Sequence, residues 1–286
     1  MVADLHIHML MDGTNYRQAV QRHSAAADEV WIHDRLRDYA NRGIRFLRDG
    51  GDHLGVALRA RALAADYGID YRCPAFPIHK LGHYGAIVGR GYTDHASYLH
   101  LLDEAEEQKA DFIKLMISGL VDFSTPHRLT EEALEAEEIR YLIEAAHDRG
   151  FAVMVHGNGD AAVLPAVMAG VESVEHGAFL SRECLCAMGE RKSLWVPTLS
   201  TIGNLVGDGR FPDSVLSPLL EEQQEKVSFA AKMGARIGLG SDAGAYRVCH
   251  GAAVEQERDY LLRAGVPEQR LSEAERYVQN CFQRKR

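Results

Sequence analysis

The chain has 286 residues, 46% of them hydrophobic, and 32 lysines and arginines against 41 acidic residues give a net charge of −9. That length suits one large α/β domain, and the acidic balance argues against a phosphate backbone as the main partner. No window approaches the roughly 20 apolar residues of a membrane span, and MVADLHIHMLMDG lacks a basic segment followed by a long apolar run, so a cytoplasmic protein is expected.

In chain order, short apolar runs alternate with amphipathic stretches of helical length. Runs at 3–8 and 44–49 are followed by a helix over 56–67, a run at 70–76 and a long loop over 77–94. A helix at 98–109, a run at 111–117, a helix at 131–149 and a run at 151–156 come next. Then follow a helix at 161–169, a run at 173–176, a helix at 181–190 and a run at 194–198. A loop over 203–212, a helix at 217–233 and a run at 237–242 complete the series. The eight runs are continuous enough for strands buried on both faces, and their alternation with helices predicts a single (β/α)8 barrel domain over 1–286. Gly43, Gly68, Gly150, Gly170 and Gly234 each close a helix just before a strand. The longer loops follow the strands, which in such a barrel is the functional face. Cys73, Cys184, Cys186, Cys249 and Cys281 show no CxxC spacing; Cys184 and Cys186 are expected reduced on one helix.

His6 and His8 alternate with Leu5 and Ile7, so on a strand both imidazoles leave one face. Two neighbouring imidazoles suit a divalent ion such as zinc, although alone the pattern is weak. His156 and His176 each end an apolar strand directly before a glycine, and Asp242 ends another. In a barrel these strand ends meet around one pocket. Lys114 lies inside the apolar run Asp-Phe-Ile-Lys-Leu-Met-Ile, where an unpaired ammonium is expensive. An ion pair with Asp242 or Glu175 and a metal role explain it equally well.

The phrases DLHIH (4–8), RFLRDGG (45–51), DFIKLMISG (111–119), EAAHDRGFAVMVHGNG (144–159), AGVESVEHGAFL (169–180), VPTLS (196–200) and IGLGSDAG (237–244) together resemble the amidohydrolase superfamily, in its branch of imidazolonepropionase-like proteins and metal-dependent prolidases. The resemblance implies a pair of divalent metal ions, with zinc the expected element. It makes His6, His8 and Asp242 ligands of the more buried ion, and His156 and His176 ligands of the second. Lys114, carboxylated by carbon dioxide, would bridge the two. Asp242 would be the catalytic acid and base in hydrolysis of an amide or cyclic amide C–N bond by a metal-activated hydroxide, the substrate being an N-acyl amino acid, a dipeptide or an imidazolone- or hydantoin-like ring. Two readings stay open beside it: a lactonase or esterase on the same metals, and a barrel that binds without catalysis.

The chain also departs from the family. The HxH motif begins at position 6 and the sequence stops at Arg286, so the small β-sandwich many relatives carry is not expected. Asn158 stands where relatives often have histidine or tyrosine, and no His-x-x-Glu follows the fifth strand, which disfavours the deaminases. His83, Asn158, Tyr246, Arg247 and His250 are the candidate substrate contacts, Arg247 and His250 as a grip for a carboxylate. Asp49 reads as structural, His147 as a helix C-terminal cation, and residues 131–138 as a solvated acidic helix face. The expected partner is a small-molecule substrate, with nucleic acid and membrane disfavoured and self-association left open.

Overall fold

The computed structural model describes residues 2–283. It opens with β1 (Val2–Ile7), and the helices α1 (Tyr16–Arg22) and α2 (Glu29–Asn41) lead to β2 (Ile44–Asp49). Helix α3 (Val56–Ala64), continued by a 3-10 turn over Ala65–Tyr67, precedes β3 (Asp70–Arg72), β4 (Pro77–Lys80) and β5 (Arg90–Tyr92). The middle runs α4 (His95–Glu107), β6 (Ile113–Met116), α5 (Ala136–Asp148), β7 (Val153–Gly157), α6 (Asp160–Met168) and β8 (Ser173–His176). After α7 (Arg182–Arg191) come β9 (Leu194–Val196), α8 (Ser200–Gly203), α9 (Asp213–Met233), β10 (Arg236–Ile237), α10 (Ala253–Arg263) and α11 (Glu268–Cys281).

The strands form two parallel sheets, β1-β2-β3 and β10-β9-β8-β7-β6-β4-β5, so the fold is α/β with parallel sheets. Backbone bonds join the two at both boundaries. Leu5 N donates to Leu239 O (2.9 Å), Asp242 N to His6 O (2.8 Å) and His8 N to Ala243 O (2.8 Å), while Asp111 N donates to Cys73 O (3.0 Å). The buried Asp4 carboxylate adds a side-chain clasp, accepting from Ser241 N at 2.8 Å and Ser241 Oγ at 2.6 Å. At the end of the strands away from the metal-ligating candidates, Ala274, Val278 and Phe282 pack on Leu5, Phe46, Phe112, Met154, Leu194 and Val196, so α11 and the residue after it close the strand bundle from beneath.

The expected strands at 44–49 and 173–176 appear with those bounds, and most others within one or two residues. The third and eighth do not. Pro74 has no N–H for a ladder, and the expected run 70–76 stops at Arg72, with the following Pro77–Lys80 pairing to β6 instead. The region read as a loop over 77–94 therefore holds two short strands, β4 and β5. The run 237–242 shrinks to a two-residue strand ending at Ile237, although its backbone still bonds β1. Gly240 lets this segment pass close against β1 and β9: a Cβ there would lie 2.8 Å from His6 N and 2.5 Å from Val196 Cγ1.

The helix read from 131 begins at Ala136. Residues before it form a loop whose Thr130 N donates to Leu120 O (2.8 Å), and the acidic run does more than face water. Glu131 accepts from Tyr84 N, and Glu138 pairs with Lys80 (2.7 Å) and accepts from Tyr92 OH (2.9 Å). Helices α1, α2, α8, α10 and α11 were not among the expected elements. Cys184 and Cys186 sit on α7, unpaired. Among the described residues no helix is long and apolar enough to cross a membrane.

Candidate metal centre and active site

His6 lies on β1 and His8 one residue beyond it, held by the bond from His8 N to Ala243 O. Their Nε2 atoms are 3.4 Å apart, and Asp242 Oδ1 lies 3.6 Å from His6 Nε2 and 3.7 Å from His8 Nε2. These three donor atoms lie within 4.8 Å of one another. Such a spacing leaves room for a shared ion and is too long for mutual hydrogen bonds of ordinary strength. Gly50, just past β2, makes the position of His8 accessible: a Cβ there would come 2.3 Å from His8 Cε1.

Tautomers follow from the neighbours. His6 Nδ1 meets Glu175 Oε2 at 2.7 Å, and an ionised carboxylate accepts only, so the proton sits on Nδ1 and the Nε2 lone pair points to the shared space. Glu175 is itself oriented by Arg48 (2.9 Å) and by the Ser173 hydroxyl. Arg48 is fully buried and also donates to Leu5 O at 2.6 Å, with its guanidinium 4.5 Å from the Phe282 ring. His156 directs Nε2 to the Gly119 carbonyl (3.2 Å), which fixes the proton there and leaves the lone pair on Nδ1. His176 Nδ1 meets Thr198 Oγ1 at 2.8 Å. The His156 and His176 rings are 4.6 Å apart, and His176 is 5.2 Å from His6, so the second histidine pair adjoins the first without joining its three-residue group.

Burial drives all four imidazoles below their usual range, His8 and His156 to about 3 and His6 and His176 well below theirs, so they are neutral at pH 7 as metal ligation requires. Burial likewise pushes the Asp242 carboxyl up and the Lys114 ammonium down. The ion pair that would satisfy Lys114 is not formed. Its Nζ is buried without a hydrogen-bond partner among the described residues, as is His8 Nδ1. An unpartnered buried ammonium beside neutral imidazoles and a carboxylate is what a bound cation pair with a carboxylated lysine would resolve. The donor set fits that group.

His8, Lys114, His156, His176 and Asp242 line a cavity of about 540 Å³, with His6 buried beneath it. Of the candidate substrate contacts, Asn158 and Tyr246 line the same cavity. Asn158 is committed to the backbone: Nδ2 donates to Gly119 O (3.0 Å) and Oδ1 accepts from Ala178 N (2.9 Å). His83, Arg247 and His250 are outside the lining. The His83 ring faces the Glu131 carboxylate at 3.7 Å, and its neighbour Tyr84 reaches the cavity instead, 4.9 Å from the His156 ring. Arg247 is paired with Asp208 at 2.5 Å. Buried His250 is held between Tyr39 OH and Met11 O, both at 2.9 Å, which makes it a structural link between the loop after β10 and the first βα unit.

Asp49 accepts from Met9 N (2.8 Å), Gly51 N (2.6 Å) and Tyr71 OH (2.5 Å), the structural role expected of it. Three residues were not singled out by the sequence: Thr198, which orients His176; Arg48, behind Glu175; and Arg210, on the cavity wall. Thr198 ends the VPT segment much as His176 ends its own strand, and that parallel was the available signal. A wider groove between residues 127–140 and α6 carries none of the histidines that line the cavity.

No family model matches the chain. Its sequence is similar to the ochratoxinase of Aspergillus niger, 30% identical over 199 residues that cover 64% of this chain and 41% of that protein. An uncharacterized protein of Mycobacterium tuberculosis is 28% identical over 134 residues, 45% of this chain and 36% of that one. The chain thus spans about two fifths of the length of the curated relatives it matches. Its fold is shared with an Xaa-Pro dipeptidase solved with methionine in its active site (TM-score 0.77, 22% identity, 98% of this chain and 74% of that one). It is also shared with the structure of A. niger ochratoxinase (TM-score 0.75, 18% identity, 96% of this chain and 68% of that one).

Proposed function

We propose that the chain, similar in sequence to the A. niger ochratoxinase and in fold to that enzyme and to an Xaa-Pro dipeptidase, is an amidohydrolase: a metal-dependent hydrolase of amide C–N bonds built on one (β/α)8 barrel. Support for the barrel comes from the backbone bonds of Leu5, His8 and Asp242 across one sheet boundary and of Asp111 across the other. The observation that carries the function is the convergence of His6, His8 and Asp242 within 4.8 Å at a cavity that Lys114, His156 and His176 also line.

In this reading His6, His8 and Asp242 would hold one divalent ion and His156 and His176 a second, with Lys114 as the ligand shared between them and zinc the expected element. Lys114 would take up carbon dioxide with formation of an N–C bond and loss of two protons, one from the ammonium before it attacks and one from the nitrogen as the bond forms, exchanging a buried cation for a carbamate anion. Bound divalent ions would supply Lewis-acid polarisation of the scissile carbonyl and a lowered pKa for water at neutral pH. The remaining chemistry is the chain's own. The Asp242 carboxylate orients the attacking water, takes its proton, and returns that proton to the departing amine nitrogen. Glu175 holds His6 in the tautomer that presents Nε2, and Thr198 fixes the His176 ring.

The test joins elemental analysis to activity. Purified protein should contain two equivalents of a divalent transition metal, and its hydrolysis of dipeptides and N-acyl amino acids should vanish on chelation and return with added zinc, manganese or cobalt. Amide hydrolysis that survives complete metal removal would overturn the assignment, and so would a metal-loaded protein that cleaves lactones and no amides.

A further inference from the structure

We propose that Glu257, on α10 and outside the cavity lining, is a positioning residue for the second ion: it locks the backbone of Thr198 so that the Thr198 hydroxyl holds the His176 ring with Nε2 free. The inference rests on the two-ion reading above and adds to it the route by which a helix outside the strands governs one ligand.

The strain lies at Thr198. Its φ of 49° is left-handed, a region that a β-branched residue enters at a cost and keeps only where its surroundings over-determine it. Thr198 is fully buried, and the peptide that follows it is tied at both edges. The Thr198 carbonyl accepts from Thr201 N at 3.0 Å and from Thr201 Oγ1 at 2.8 Å, while Leu199 N, on the other side of the same peptide, donates to Glu257 Oε1 at 2.9 Å. The second carboxylate oxygen accepts from Ser200 N at 2.6 Å and from Ser200 Oγ at 2.8 Å. A peptide plane held from both edges leaves Thr198 no room to relax its ψ or to swing its side chain.

Packing alone does not account for a carboxylate in this place. Glu257 is wholly buried, its three donors are neutral, and burial pushes its carboxyl up to about 7. Docking of α8 on α10 has other means. Gly203 lets the two helices touch, since a Cβ there would overlap the Tyr260 ring, and Asn204 binds α10 twice, Nδ2 donating to Gln256 Oε1 at 2.9 Å and Oδ1 accepting from Tyr260 OH at 3.3 Å. What the carboxylate supplies is acceptors for the amides of Leu199 and Ser200, next to Thr198.

At the far end of this chain of contacts Thr198 Oγ1 lies 2.8 Å from His176 Nδ1. The His176 backbone is fixed separately, its carbonyl accepting from Trp195 Nε1 at 3.0 Å and from Gln223 Nε2 at 2.9 Å. The ring itself has no hydrogen-bond partner but Thr198 among the described residues, so its orientation and the choice of the nitrogen that carries the proton depend on one hydroxyl. With an ion on Nε2, Nδ1–H donates to that hydroxyl. His156 is held by Gly119 O and His6 by Glu175, so a fault at Glu257 is confined to one ligand of the second ion and spares the first.

The test reads the two ions apart. Cadmium-loaded protein should give two cadmium NMR resonances, the one lost in His176→Ala marking the second ion, and titration with a chelator measures how well each is retained. In Glu257→Gln, which keeps the shape and removes an acceptor, the chelator concentration that strips the second ion should fall about tenfold or more, while that for the first changes by less than about twofold. Thr198→Val should reproduce the split, and Thr198→Ser should restore most of the retention. Glu257→Asp, which keeps the charge and shortens the reach, should fall between the wild type and Glu257→Gln, and it decides by the same split if Glu257→Gln does not fold. Asn204→Ala, which loosens α8 from α10 and leaves the carboxylate in place, should lower the melting temperature and change neither retention. The inference is overturned if the Glu257 variants weaken both ions alike, or lower the melting temperature alone, or leave the second ion untouched while Thr198→Val releases it. A wild type that holds no ion at His156 and His176 removes the inference together with the two-ion reading. Two well-held ions that are indifferent to Glu257 and Thr198 remove the inference and leave that reading in place.

Discussion

His176, Thr198 and Asp242 hold left-handed backbones at the ends of three neighbouring strand segments, with φ of 67°, 49° and 60°. Non-glycine residues in that region cost of order 1 kcal/mol or more each, and asparagine tolerates it better than most side chains. Asp242→Asn is therefore the informative substitution: it keeps the backbone and the shape while removing the carboxylate proposed as proton acceptor and anionic metal ligand. Turnover is expected to fall at least about a thousandfold with the fold intact. Steady-state kinetics beside a thermal melt checks it, and near-native turnover would argue against Asp242 as the acid and base. At this scale the residues that end apolar runs were legible, because a histidine or carboxylate in such a place stands out against its neighbours. Arg48 and Thr198 were not, since each is tied to the site through a partner distant in sequence: Glu175 for Arg48 and His176 for Thr198.

Whole elements were legible where their burial was continuous. β2 and β8 have the expected bounds because they are short apolar runs with a turn signal at each end. α11 was missed because it buries Leu271, Ala274 and Val278 in an otherwise charged stretch, and α2 likewise buries only Ile32, Leu36 and Tyr39. Residue 147 shows a helix end put to use. His147, in the last turn of α5, places Nε2 3.1 Å from Glu172 Oε2, and the same carboxylate accepts from Val153 N at 2.7 Å, tying α5 to β7. The bond to Glu172 raises the His147 pKa above its ordinary 6.5. A raised value means that its stabilisation is complete below about pH 6.5 and is lost as pH climbs through the folded value. The melting temperature should thus decline as pH rises above about 6.5, and His147→Gln should remove that component while lowering stability at pH 6. Melts at a series of pH values measure both, and identical pH profiles for the two proteins would show that the pair contributes nothing.

On the scale of the molecule, the architecture sets its polar groups in layers along one axis. α11 and Phe282 close the strands at one end, Arg48 and Glu175 lie above Phe282, His6 above Glu175, and the cavity beyond. The alternation of runs and helices made this axis legible as parallel α/β, whereas the hydrogen bonds that join the two sheets depend on irregular strand ends near Pro74 and Gly240, which pattern alone does not resolve. Beside this stack the buried Lys114 Nζ has no hydrogen-bond partner among the described residues, so the stability of the whole fold becomes coupled to what binds there. Ligand that binds the folded chain alone stabilises it by mass action, so chelation should lower the melting temperature and restoring metal should raise it in proportion to the logarithm of free metal. Lys114→Met separates the lysine from the metal. Without metal the variant should melt above the wild type, because a buried unpaired ammonium gives way to an apolar chain of similar length, a change worth about 1–3 kcal/mol. With metal the order should reverse, since the wild type gains a bridging carbamate that methionine cannot form. Mass spectrometry of the gently handled wild type should meanwhile find the added carbon dioxide. A variant that melts below the wild type in both states would show that Lys114 is stabilised within the folded chain by some contact other than the metals, and the bridging role would have to be given up.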